Sequence, residues 1–273
     1  MSENEWVTGR VTLRIGNAPL DLEMTVPALA VKPHRMLPIF QQMSDSFADI
    51  GVQAAADAGN AVSCRAKCTA CCYQAVPVSE AELYYIAELV NEMPEPRRTE
   101  IRGRFESAYG HFRASGWFDA LRSGKGRSWS GAEELVLDYF REGVPCPFLE
   151  DSMCSIYANR PIACREYLAV SDPVNCSNPS AEGVKLVDLP IKPSATLKKI
   201  AIGEASRREG LFLLLIMALE IAEKYPETFP EKTGEQWMAD FFTRLTNDEN
   251  LSKPPPPSPP NPRKRRSRHN PKR

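Results

Sequence analysis

The sequence predicts a mainly α-helical protein that opens with a β-hairpin. Three observations carry this. Apolar and polar residues alternate only between Val7 and Val26. Helix-spaced apolar positions with capping signals fill most of residues 36–246, and neither a strand–helix alternation nor an internal repeat appears, so a parallel sheet is not expected.

In the hairpin, Val11, Leu13 and Ile15 point one way while Arg10, Thr12 and Arg14 point the other. Leu20, Leu22, Met24 and Val26 repeat the pattern after Gly16-Asn17, which predicts two strands with one buried face. From about Met36 to Gly59 the apolar spacing is helical. Ser79-x-x-Glu82 is a capping box, in which side chain and backbone at the helix start satisfy each other's orphan donors. It opens a helix with Leu83, Ile86, Ala87 and Val90 inward, stopped by Pro94 and Pro96. A second helix buries Ile101, Phe105, Ala108 and Phe112. Residues 123–130 read as a Gly/Ser-rich loop, and a further helix spans about Ala132 to Glu142 with Gly143 just past its end. Residues 146–193 read as irregular, and two helices follow, roughly Ser194 to Tyr225 and Thr233 to Thr246. The boundaries implied are a hairpin segment over 1–35, a helical body over 36–250 and a tail over 251–273.

Composition fits a soluble globular chain, with 42% hydrophobic and 25% charged residues among 273, enough to bury a core without disulfide staples. The longest apolar run, Leu211 to Leu219, falls well short of the roughly 20 residues a bilayer span needs, so no membrane partner is expected and the run reads as a buried helix. The start MSENEWVTGRVTLRIGN has no basic leader followed by an apolar stretch, which places the protein in the cytoplasm, where thiols stay reduced. The net charge of −1 hides a split. Residues 251–273 carry eight Lys/Arg, no Asp/Glu and eight of the 24 prolines, leaving 26 basic against 35 acidic residues in the body, a formal −9. The tail reads as a disordered, polyproline-biased arm ending in RKRRSR. PPPPSPP suits an aromatic groove on a protein and the basic cluster suits a polyanion, while a purely solubilising arm explains both equally.

All eight cysteines fall into two groups, Cys64-x3-Cys68-x2-Cys71-Cys72 and Cys146-x7-Cys154-x9-Cys164-x11-Cys176. Scattered core thiols would not place four within nine residues, and reduced surroundings oppose disulfides, so the pattern points to thiolates holding a metal. The expected architecture is therefore a helical body around an irregular Cys-rich metal centre. Adjacent Cys71 and Cys72 diverge, so they serve two centres or leave one thiol over. Thiolates suit Zn(II) and an iron–sulfur cluster alike, so ligand type does not choose between them. No histidine joins either group: His34 follows Pro33, His111 sits on a polar helix face and His269 is in the tail.

The blocks CRAKCTACC and CPFLEDSMCSIYANRPIACREY resemble the YkgJ-type cysteine-cluster family, a zinc- or iron-chelating domain named for its CxxCxxCC signature. The resemblance implies Cys64, Cys68, Cys71, Cys72, Cys146, Cys154 and Cys164 as the ligand set, with Cys176 in DPVNCSN as an eighth member outside the matched blocks. Pro147 and Pro161 would stiffen the loops, Phe148, Ile156 and Tyr157 would shield the centre, and Arg65, Lys67, Arg160 and Arg165 are candidates to offset thiolate charge. The family is also similar to flagellin lysine N-methylases. With the Cys64-x3-Cys68-x2-Cys71 spacing of radical S-adenosylmethionine enzymes, this raises an alternative reading as a cluster-dependent N-methyltransferase. Ala70 in place of an aromatic residue and the missing β/α repeats count against it.

Overall fold

A computed structural model describes residues 5–15, 18–65, 67–123, 129–180, 183–210 and 212–246. The chain is mainly helical. β1 (Trp6–Ile15) and β2 (Ala18–Pro27) pair antiparallel, with Val7 opposite Val26, Val11 opposite Leu22 and Leu13 opposite Leu20. Those residues line the packed face. On the solvent face the pairs are polar: Thr8–Thr25, Arg10–Glu23 and Thr12–Asp21 all hydrogen bond across the ribbon, as cross-strand neighbours should.

A 3-10 turn, Pro33–Met36, leads into α1 (Leu37–Asp57). The expected capping box is present: the Ser79 side chain accepts from Glu82 N, and the Glu82 carboxylate accepts from Ser79 N at 2.7 Å, opening α2 (Glu80–Asn91). α3 (Arg97–Ala114) buries Ile101, Phe105, Ala108 and Phe112. It is followed by α4 (Trp117–Arg122) and α5 (Trp129–Arg141), where Tyr139 stacks on Phe112 at 4.0 Å between ring centres. α4 escapes a periodicity reading because six residues hold less than two turns. Gly143 follows α5 with φ +66°, in the left-handed region that ends helices.

Two apolar cores share α2. Leu83, Ile86 and Val90 face one, with Phe105, Phe112, Phe148 and Leu215, while Ala81 and Tyr84 face the other, with Phe40, Phe47, Trp237, Phe241 and the hairpin. Among the described residues no helix is long and apolar enough to cross a membrane. The expected tail over 251–273 and the Gly16-Asn17 turn lie outside the described residues.

The single helix expected from Ser194 to Tyr225 is corrected. In its place stand α8 (Pro193–Ile200), α9 (Glu204–Glu209), a short strand at Leu213–Leu214, a 3-10 turn and α10 (Ala218–Lys224). Leu213–Leu214 pairs with β3 (Pro77–Val78), so it becomes the last strand, β6, after the pair described below. Periodicity cannot separate a buried strand from a buried helix in an unbroken apolar run, and Gly210, at φ +93°, turns the chain just before it. The final helix, α11 (Gly234–Thr246), matches expectation.

The break between α8 and α9 is held by a buried carboxylate. Glu80, on the first turn of α2, accepts from Gly203 N at 2.8 Å, Ala205 N at 3.2 Å and Ser206 N at 2.9 Å. A Cβ on Gly203 would stand 2.3 Å from the Glu80 Oε1, so any larger residue would push the carboxylate out of this position. Glu80→Ala leaves three buried amides without an acceptor, each worth about 1 kcal/mol or more. Urea unfolding should report a loss of about 3 kcal/mol, and an unchanged midpoint would contradict this role.

Candidate metal centre

The first cysteine group follows α1 in an extended segment that is clipped to the chain beyond the second group. Ser63 N donates to Ala169 O at 2.8 Å, and its hydroxyl reaches Ala169 O and Ser171 O at 3.0 and 2.6 Å. In return Ala169 N donates to the Cys64 sulfur at 3.3 Å. Lys67 sits in the left-handed region at φ 64° and turns the chain toward Cys68. Cys71 and Cys72 lie on a 3-10 turn, Ala70–Tyr73. At about three residues per turn, neighbouring side chains there diverge.

The second group docks onto that turn through the backbone: Cys146 N donates to Cys72 O at 2.7 Å. Beyond it β4 (Leu149–Glu150) and β5 (Met153–Cys154) form a miniature hairpin that sets Cys154 opposite Leu149. Its turn residues Asp151 and Ser152 both have positive φ, 46° and 60°, as a tight right-twisting hairpin requires. α6 (Ile162–Glu166) carries Cys164 and is anchored twice: Glu82, already used in the capping box, accepts from Ile162 N at 2.9 Å, and Glu166 accepts from Ser194 N at 2.8 Å. α7 (Pro173–Ser177) carries Cys176 and packs on the 3-10 turn of Cys71.

All eight cysteines are free thiols, with Cys64 exposed, Cys176 buried and the others half-buried. Cys71 is central, for Cys64, Cys146, Cys154, Cys164 and Cys176 all lie within its electrostatic reach. The hydrogen bond with the Cys72 thiol, then burial, pushes the Cys71 thiol far above the usual range. Burial pushes Cys146 up to about 12 and raises Cys164 strongly. These are proton-bearing thiols at neutral pH, so any metal they bind must displace their protons.

Arg160 is the cation at this cluster. Its charge favours the thiolate form of Cys64, Cys71, Cys154 and Cys164, its guanidinium lies 4.1 Å from the centre of the Tyr157 ring, and its buried Nε has no hydrogen-bond partner among the described residues. A metal-bound thiolate sulfur is an acceptor that such an unpartnered buried donor would satisfy. Arg165, expected to share this task, is instead committed elsewhere: it reaches Asp45 at 2.5 Å and the carbonyls of Ala158 and Arg160. It shapes the turn that presents Arg160. Tyr157, expected as a shield, is 62% exposed and supports Arg160 from outside, while Phe148 and Ile156 are buried as expected. Arg160→Gln should weaken zinc binding about 10–100-fold, the usual cost of losing an outer partner. Competition against a chromophoric chelator checks this, and an unchanged affinity would exclude the role.

The donor set fits zinc or iron, being sulfur alone. His34 is engaged with Glu227 at 2.9 Å and His111 with Glu142 at 2.7 Å. Among the described residues no three His, Cys, Asp or Glu side chains already stand in a metal-holding arrangement, since Cys71 is turned to Cys72 and Cys64 to the Ala169 amide. Two contributors escaped the sequence reading: the Ser63 clip, and the second oxygen of Glu82. A serine beside a cysteine carries no signal of its own, and the capping box accounts for Glu82 without a second partner.

No curated protein and no solved structure matches the chain. The relation to flagellin lysine N-methylases expected from the resemblance has no counterpart in these comparisons. Residues 63–182 match the family model CxxCxxCC, whose description reads "Putative zinc- or iron-chelating domain". The matched span begins at the Ser63 clip and ends just past α7, so the part of this chain that is similar to the CxxCxxCC family encloses every cysteine.

Proposed function

We propose that this protein chelates zinc or an iron–sulfur cluster through Cys64, Cys68, Cys71, Cys72, Cys146, Cys154, Cys164 and Cys176. The observation that carries this reading is the hydrogen bond from Cys146 N to Cys72 O, which fastens two segments more than seventy residues apart at their cysteines. When bound, zinc or iron would supply soft-metal bonding to thiolates. The chain supplies the rest: a fixed backbone, apolar cover from Phe148 and Ile156, and the Arg160 charge. The centre reaches from the surface, where Cys64 is exposed, to the edge of an apolar core, where Cys146 and Cys154 pack.

The N-methyltransferase alternative draws only on the spacing of Cys64, Cys68 and Cys71. The described strands form two-stranded antiparallel sheets, and nothing in them suggests the parallel strands of a cofactor-binding barrel.

Anaerobic purification with metal analysis and a visible spectrum tests the proposal. Zinc without colour, or iron and sulfide with a broad brown absorption, is expected. A protein that takes up neither refutes it. The raised thiols add a pH dependence. Each thiol that binds gives up a proton, so a four-thiol site should lose about 10⁴-fold in zinc affinity per pH unit lowered below the thiol range. Titrations at two pH values measure this, and a pH-independent affinity would mean the thiols are not the ligands.

A further inference from the structure

The loop that carries Cys146 and Cys154 has little support of its own. β4 and β5 are two residues each, and an isolated two-stranded ribbon is marginal even when longer. Their turn places Asp151 and Ser152 at positive φ with no glycine to ease it. The hairpin is held from outside, through the Glu150 side chain. Both carboxylate oxygens accept from arginines of α3: Arg97 Nη2 donates to Oε2 at 2.7 Å and Arg97 Nη1 to Oε1 at 3.3 Å, while Arg104 Nη1 donates to Oε1 at 2.8 Å. Arg97 and Arg104 stand about two turns apart and so share one face of the helix. Arg104 Nη1 also approaches the Pro147 carbonyl, 3.5 Å away and next to Cys146. The hydrogen bond from Arg97 holds the Glu150 carboxyl below the usual carboxylate range, so the contact is an ion pair at neutral pH. On its other face α3 is fixed in the apolar core by Ile101, Phe105 and Phe112.

Resting on the chelation reading above, we propose that Arg97, Arg104 and Glu150 are positioning residues of the metal centre, an ionic clamp from α3 that sets the β4–β5 hairpin and thereby the Cys146 and Cys154 sulfurs. None of the three is a ligand. Phe148 secures the same loop from the core side, against Phe105, and the clamp secures it from the solvent side. The two supports differ in what they cost to remove. Emptying the Phe148 site opens a cavity in the core. The Arg97 and Arg104 side chains are 37% and 41% exposed, and ion pairs that open to water add little to global stability. Their effect falls instead on geometry, because a thiolate binds zinc only at about 2.3 Å and in a narrow range of directions.

Zinc affinity of the full chain, measured by chelator competition beside thermal unfolding of the metal-free protein, tests this. Glu150→Ala and the double variant Arg97→Ala/Arg104→Ala should each bind zinc about 10-fold more weakly than wild type, the lower end of what outer partners of a metal site contribute. Their unfolding midpoints should stay close to that of wild type. Combining all three substitutions should weaken binding no further, because the residues act through one contact. Arg97→Lys/Arg104→Lys, which keeps both charges, should recover part of the affinity. Unchanged affinity in Glu150→Ala, or losses that add in the combined variant, overturns the clamp and leaves chelation standing. An affinity loss that comes only with collapse of the metal-free fold overturns the positioning role as well. A wild-type chain that takes up neither zinc nor iron overturns both this inference and the chelation reading beneath it.

Discussion

Cys71→Ser is expected to weaken zinc binding by more than about 100-fold, the largest loss from any single cysteine. Removing an outer partner of a ligand already costs about 10–100-fold, and the proposed reading makes Cys71 a direct donor beside thiols of both cysteine groups. Serine keeps the shape of the turn but offers a hard oxygen whose proton is far harder to displace. The fold should survive, because Cys71 is only half-buried on a 3-10 turn at the edge of the apolar core. Competition with a chelator, alongside thermal unfolding of the metal-free chain, separates the effects. A small affinity loss, no larger than that of Cys64→Ser or Cys154→Ser, would remove Cys71 from the centre of the site.

Phe148→Ala should destabilise the fold by about 3–5 kcal/mol, the range for emptying an aromatic site in a packed core. Phe148 is fully buried, meets Phe105 edge-on at 5.2 Å, and its carbonyl accepts from Ser155 N at 2.9 Å, so one residue joins the core to the loop carrying Cys146 and Cys154. Denaturant unfolding reads the stability. Zinc affinity should fall in the same variant, because the cavity loosens the segment that carries both thiols. A loss below about 1 kcal/mol would mean that the loop packs independently of the core.

What was legible in the sequence were the features set by local rules. The hairpin register follows from period-two alternation, and Val7 does face Val26. The start of α2 follows from the reciprocal bonds of Ser79 and Glu82. The cysteine constellation stood out because eight thiols in two clusters exceed what packing alone would place there. What stayed hidden was set by long-range partners. Whether Leu213–Leu214 is strand or helix depends on Pro77–Val78, which lies far away in sequence. The break at Gly203 depends on the Glu80 carboxylate, and the separate fates of Arg160 and Arg165 depend on Asp45, a residue of α1. Arg160 and Arg165 look alike in the motif. Only the folded chain turns one toward the thiols and the other toward a carboxylate.

The central claim is that sulfur atoms from residues 64–72 and 146–176 close around a common inorganic centre. Alkylation of the full chain with and without bound zinc, followed by peptide mapping, measures it directly. Zinc should protect cysteines of both segments at the same metal concentration, Cys71 with Cys146, Cys154 and Cys164 among them. Protection confined to one segment, or equal labelling with and without metal, would contradict the account.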